Sequence, residues 1–174
     1  MSLNLLLPSE DDPVIWRGPL IGGAVKQFWT DIEWGELDYL FIDLPPGTAD
    51  APLTVMQSIP LDGLVVVTSP QDLAVMVVKK GLKMANMLEV PILGLVENMS
   101  ELICPHCGEE IEMFGASQGE KVAELTGVPL LAKMPLDHRL AECCDNGKVE
   151  QYQSELFKAL EQQRNFSQAG GSQT

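Results

Sequence analysis

Basic residues are scarce in this sequence: 11 lysines and arginines stand against 25 aspartates and glutamates, a formal charge of -14 over 174 residues. Such a balance opposes the phosphate neutralisation that sequence-independent nucleic-acid binding needs, and it disfavours anionic membrane surfaces. Long hydrophobic runs are also missing. The apolar stretches are short, as in Leu64-Val65-Val66-Val67, far below the roughly 20 residues that cross a bilayer. The opening Leu3-Asn4-Leu5-Leu6-Leu7 has no basic flank and is too short for a secretory core, so it reads as a strand and the expected compartment is the cytoplasm. With only two histidines, His106 and His138, no Ser-His-Asp or Cys-His relay can be assembled with any specificity. Four cysteines are too few for a disulfide framework at this length; their grouping as Cys104/Cys107 and Cys143/Cys144 suggests metal or redox chemistry.

What is present is a 45% hydrophobic fraction, enough to fill one core. Apolar, β-branched runs at Tyr39 to Leu44, Leu64 to Thr68, Ile92 to Val96 and Leu130 to Met134 predict buried strands. Helical spacing falls between them, at Gly22 to Trp34, Leu53 to Ile59, Leu73 to Leu88 and Gly119 to Leu125, the last with Gly127 as its C-terminal cap. Strand and helix alternate, with connections longer than a hairpin allows. The expected class is α/β, a parallel sheet flanked by helices. Leu73, Val77, Met84 and Leu88 are the expected packed face of the third helix, Asp72 suits its N-terminus, and Lys79, Lys80 and Lys83 suit its later half. A last helix is expected to run on from Gln151 through Leu156 and Leu160. We expect residues 1–163 to form one domain, interrupted by an insertion at 101–114, and residues 164–174 to be a disordered tail.

Two motifs carry chemistry. Asp43-Leu44-Pro45-Pro46-Gly47-Thr48-Ala49-Asp50 follows the apolar run Tyr39 to Ile42, which puts a carboxylate at the C-terminal end of an expected parallel strand, where open α/β sheets bind ligands. An acid so placed can hold magnesium, and a glycine-containing loop after it can approach a phosphate through its backbone. A rigid Pro-Pro-Gly turn with Asp50 opening the next helix is the plainer alternative. In Cys104-Pro105-His106-Cys107-Gly108, the spacing lets both thiolates bind one metal while Pro105 and Gly108 shape a tight knuckle. No second Cys-x-x-Cys completes a closed zinc site within one chain. A twofold pair of chains would supply four thiolates, for a bridging zinc or a four-iron cluster. For Cys143 and Cys144, burial as small hydrophobes is a sufficient explanation.

Trp16-Arg17-Gly18-Pro19, the Asp43 to Gly47 block, Gln71-Asp72, Val96-Glu97-Asn98-Met99-Ser100, the Cys104 to Gly108 knuckle and Met134-Pro135-Leu136-Asp137 occur together and in order. On these residues, spanning Leu5 to about Gly147, the sequence resembles the Mrp-type iron-sulfur cluster carriers. These are P-loop ATPases of the MinD/ParA-like superfamily. The resemblance implies a P-loop-type fold, ATP and Mg2+ as cofactors, and a [4Fe-4S] cluster held by Cys104 and Cys107 across a homodimer and delivered to apo iron-sulfur proteins. Zinc is a possible substitute in that site. Asp43 would help hold magnesium, Gly47 would sense the terminal phosphate with Pro45 beside it, Asn98 would read adenine, and Pro135 with Asp137 would line the base. Trp16 to Pro19 would be a switch-like loop near the phosphates.

The family's Gly-Lys-Ser/Thr phosphate loop is not found in this sequence. Gly147-Lys148 is followed by Val149 in a polar stretch, so the chain looks like roughly the latter two thirds of a family member. Severely reduced nucleotide affinity and ATP hydrolysis by this chain alone are the expectation. The family's first strand neighbours the one ending at Asp43, so an apolar edge prone to self-association, or marginal stability, is also expected. The other reading is a non-enzymatic, zinc-stapled dimerisation or regulatory module. A MinD-like positioning ATPase lacks support, because Glu150 to Arg164 mixes charge signs instead of forming a basic amphipathic helix.

Overall fold

The computed structural model describes residues 1, 2, 5, 9 and 18–154. The expected opening strand at Leu3 to Leu7, Trp16 and Arg17 of the switch-like loop, the continuation through Leu156 and Leu160 and the 164–174 tail lie outside the described residues. Contacts gather the chain into two compact units, Met1–Leu61 and Asp62–Thr174.

The first unit is built on two helices, α1 (Gly18–Thr30) and α2 (Asp50–Ser58). Small residues let them approach closely: Gly22 faces Thr54, where an added Cβ would lie 3.3 Å from the threonine hydroxyl. Ala24 of α1 and Val55 of α2 are buried. Between the helices, the predicted strand Tyr39 to Leu44 is an exposed, irregular segment. A strand is held by its ladder hydrogen bonds, and among the described residues no segment pairs with this one. Its aromatics turn outward, Tyr39 being 70% and Phe41 89% exposed, with their rings stacked at 6.2 Å.

The second unit is an α/β sandwich layer. The strands β1 (Leu64–Thr68), β2 (Ile92–Ile103) and β4 (Leu130–Leu136) are parallel, with β2 paired to both of the others. A short antiparallel strand, β3 (Glu110–Ile111), pairs with the far end of β2 and was not foreseen from the pattern. Two helices connect the strands, α3 (Asp72–Met87) between β1 and β2 and α4 (Gly119–Thr126) between β3 and β4, and α5 (His138–Asp145) follows β4. Gly127 ends α4 in the left-handed conformation at φ 69°, as its place after the helical run predicts.

Val75, Val78 and Leu82 of α3, Leu95 of β2, Val122 of α4 and Val128 form the core. The packed face of α3 therefore differs from the expected Leu73, Val77, Met84 and Leu88, and Leu73 lies exposed. Apolar residues occur nearly all around this helix, so periodicity alone does not single out the stripe that meets the sheet. Gly94 of β2 lies against the Leu131 side chain of β4, leaving no room for a Cβ. Among the described residues no helix is long and apolar enough to cross a membrane.

Candidate functional site

The Cys104 knuckle is the turn between β2 and β3. Two backbone hydrogen bonds close it: the Cys104 amide donates to the Glu109 carbonyl at 2.9 Å, and the Gly108 amide donates to the Cys104 carbonyl at 2.9 Å. Gly108 sits at φ 75°, a region that side chains rarely adopt, which explains a glycine after the second cysteine. The backbone amides of Cys107 and His106, with the Cys107 side chain, donate toward the Cys104 sulfur and pull its pKa below the ordinary thiol value. Such a sulfur is readied as a thiolate, the form that binds metal. Cys104 is partly exposed and Cys107 exposed. His106 and Glu109 are exposed beside them, the Glu109 carboxylate 4.0 Å from the Cys107 sulfur. Ile103, Ile111, Met113 and Phe114 leave an apolar flank open around the turn. Among the described residues no group of three or more metal-ligating side chains converges, so one copy brings two thiols to this place.

A second set of expected residues gathers where β2 and β4 run side by side. Asn98 pairs with Met134, directly before Pro135. The pairing is then irregular from Asn98 to Leu102, and Met99 adopts φ 58°. The Asn98 side chain is folded onto its own backbone, its Oδ1 accepting from the Met99 amide at 2.9 Å. Asp137 caps α5: its Oδ1 accepts from the Arg139 amide at 2.9 Å and its Oδ2 from the Arg139 guanidinium at 2.7 Å and the Tyr152 hydroxyl at 2.8 Å. Foremost the Arg139 side chain, then the Tyr152 hydroxyl, holds its carboxyl far below the usual carboxylate range.

Sequence reasoning missed Glu97. Its side chain is fully buried (0% exposed) in β2, and its carboxylate accepts from the Ser117 hydroxyl, from the Gln118 amide at 2.7 Å and from the Gly119 amide at 2.9 Å. It thereby satisfies the free amides at the start of α4. The available signal was a lone acid directly after the apolar strand run, since a buried polar group requires hydrogen-bond partners. The reading of Cys143 and Cys144 as buried hydrophobes is corrected: Cys144 is exposed on α5 and Cys143 is only partly covered.

Asp43, Pro45 and Gly47 belong to the other unit, in the irregular stretch before α2. Asp43 is exposed and not at a strand end. Gly47 has φ 92°, which only glycine adopts without strain. Asp50 opens α2, as the plainer alternative for this block anticipates. Its carboxylate lies where a Cβ on Gly18, the first residue of α1, would stand.

A family profile described as the NUBPL iron-transfer P-loop NTPase (ParA) matches residues 1–168. The chain belongs to this family. An iron-sulfur cluster carrier protein of Methanocaldococcus jannaschii is 51% identical over 148 residues, covering 84% of this chain and 51% of that protein. One from Clostridium perfringens is 47% identical over 155 residues, covering 89% of this chain and 54% of its own length. Among solved structures, a nucleotide-binding protein from Archaeoglobus fulgidus in complex with ADP matches at a TM-score of 0.71 and 43% identity, over 80% of this chain and 57% of that one. The chain thus spans about half the length of the curated relatives it matches, less than the two thirds expected. The resemblance to the Mrp-type carriers and the P-loop NTPase-type α/β class are both upheld.

Proposed function

We propose that this chain is the cluster-bearing part of an iron-sulfur cluster carrier. Cys104 and Cys107 bind a [4Fe-4S] cluster together with the same two residues of a second copy, and the homodimer passes the cluster to apo iron-sulfur proteins in the cytoplasm. The observation that carries this reading is the knuckle itself, a turn closed by its own backbone with one thiol held toward its ionised form. Two cysteines per copy, Cys104 partly exposed and Cys107 exposed, flanked by apolar side chains, suit a site that is shared and reopened. Delivery is ligand exchange: thiolates of the recipient replace Cys104 and Cys107 on iron, and the cluster leaves without change of oxidation state. The related carrier proteins support the same reading.

For nucleotide, the residues of this chain do not form a complete site. Asn98 is engaged with Met99, Asp137 with Arg139 and Tyr152, and no Gly-Lys-Ser/Thr loop occurs in the sequence. We assign Asp43 to magnesium, Gly47 with Pro45 to the terminal phosphate, and Asn98, Pro135 and Asp137 to the adenine side only where a phosphate loop is supplied. Control of the cluster by ATP belongs to that complete arrangement, and ATP hydrolysis by this chain alone is not expected.

The test is anaerobic reconstitution with iron and sulfide, followed by metal analysis and a visible spectrum, beside a variant carrying Cys104→Ala and Cys107→Ala. A brown dimer holding a four-iron cluster, absent in the variant, is the expected result. A colourless protein with tightly held zinc would instead establish the zinc-stapled module. Cluster transfer that survives the double substitution would refute the assigned roles.

A further inference from the structure

The helices α3 and α4 leave a groove of about 290 Å³ between them, on a part of the second unit that the knuckle and the Asn98 region do not line. Its closed end is built. Glu97 holds the Gln118 amide from below, and the Gln118 side chain donates to the Pro70 carbonyl at 2.7 Å and to Asp72 Oδ1 at 2.8 Å, pinning the start of α4 to the start of α3. The floor is apolar: Val75 and Val122 are buried there, while Met76 (46% exposed) and Leu125 (62% exposed) stand open to solvent at its sides. Lys79 and Lys121 flank it.

Charge singles this groove out. With Lys80 and Lys83 on the same helix, Lys79 and Lys121 make up four of the chain's 11 basic residues. Among the described residues none of the four has an ion pair, although acids outnumber bases by more than two to one. Asp72 is engaged by Gln118 and Glu120 by Lys133, which leaves Glu124 as the exposed acid on α4 beside Lys121. An apolar trough with a flexible methionine and cationic sides matches a helix that carries apolar anchors one turn apart and acids on its flanks. Residues 155–174 fit poorly, since Glu155 and Glu161 are balanced by Lys158 and Arg164. A second copy of so acidic a chain brings no comparable helix rich in both leucine and glutamate among the described elements.

We propose that the α3–α4 groove is a docking site for an acidic amphipathic helix of a separate partner protein. The site goes beyond the carrier reading and stands apart from it, because peptide binding is read without cluster or nucleotide, and iron loading enters only as a control on the variant. The probe is a fluorescein-labelled synthetic peptide of about four helical turns with leucine on one face and glutamate on the flanks, alongside a counterpart with lysine in place of glutamate. With the full chain, anisotropy should saturate for the acidic peptide only, weaken as salt rises, and fall by about tenfold or more in a Lys79→Glu, Lys121→Glu variant. That variant should bind the lysine peptide instead, and retain the melting temperature and iron loading of the parent. Lys79→Arg with Lys121→Arg should bind as the parent does. The proposal is overturned by absence of saturable binding, by binding that the charge reversal leaves unchanged, or by displacement of the probe with a peptide of residues 155–174. Sedimentation showing a dimer that the reversal dissociates would assign the groove to a second copy and overturn it equally.

Discussion

Single side chains decide the stability of the second unit at two places. The Glu97 carboxyl is fully buried and bonded to three donors, so Glu97→Ala strands the Gln118 and Gly119 amides and should lower stability by about 3 kcal/mol in urea denaturation. Asp137 works at the surface end of α5. Its folded-state pKa is depressed, so its contribution is present above the unfolded value near ~3.9 and is lost as pH falls below it. Asp137→Asn should therefore cost about 1–3 kcal/mol at neutral pH. The gap in melting temperature between parent and variant should begin to narrow below about pH 4 and keep narrowing toward the depressed folded value. Both residues stand in motifs visible in the sequence, yet apart from Arg139, two positions from Asp137, their partners were not. Ser117 is 20 positions from Glu97 and Tyr152 15 from Asp137, distances over which no local pattern speaks.

Among the elements, those whose pattern matched a local rule were legible. β1 has the predicted bounds, and Gly127 caps α4 as foreseen, because β-branched runs and a glycine after a helix act over a few residues. Tyr39 to Leu44 reads as strand for the same reason and is not one, since a strand also needs a neighbour that composition cannot supply. The exposed face of α3 shows a related limit: a helix apolar on several sides takes its inner stripe from what it meets. Close approach within the sheet was equally silent. Gly94 carries no side chain because Leu131 of the adjacent strand fills that space. Gly94→Ala should cost about 1–3 kcal/mol by overpacking, read from the shift of the denaturation midpoint. Gly23, where an added Cβ meets nothing, gives the contrasting control: Gly23→Ala in α1 should be neutral or stabilising.

At the scale of the whole molecule, the tight turn at Cys104 to Gly108 was legible because it is set by contiguous residues, whereas the surroundings of Asp43 and Asn98 depend on segments folding together and were not. Titration calorimetry with magnesium-ATP should show no micromolar binding to this chain by itself, because the groups assigned to adenine are engaged elsewhere. Light scattering before and after cluster loading should move from a smaller species to the dimer, and the Cys104, Cys107 double variant should not respond. The knuckle also has a bearing on events during synthesis. Its closing hydrogen bonds join only residues between Cys104 and Glu109, and loops so short close in about 10–100 ns. β4, at Leu130–Leu136, follows the knuckle in the chain and so emerges from the ribosome after it, and the knuckle closes before the sheet behind it is complete. On the proposed role of Cys104 and Cys107, the metal that the nascent chain meets first is thus the one that a cluster has to displace.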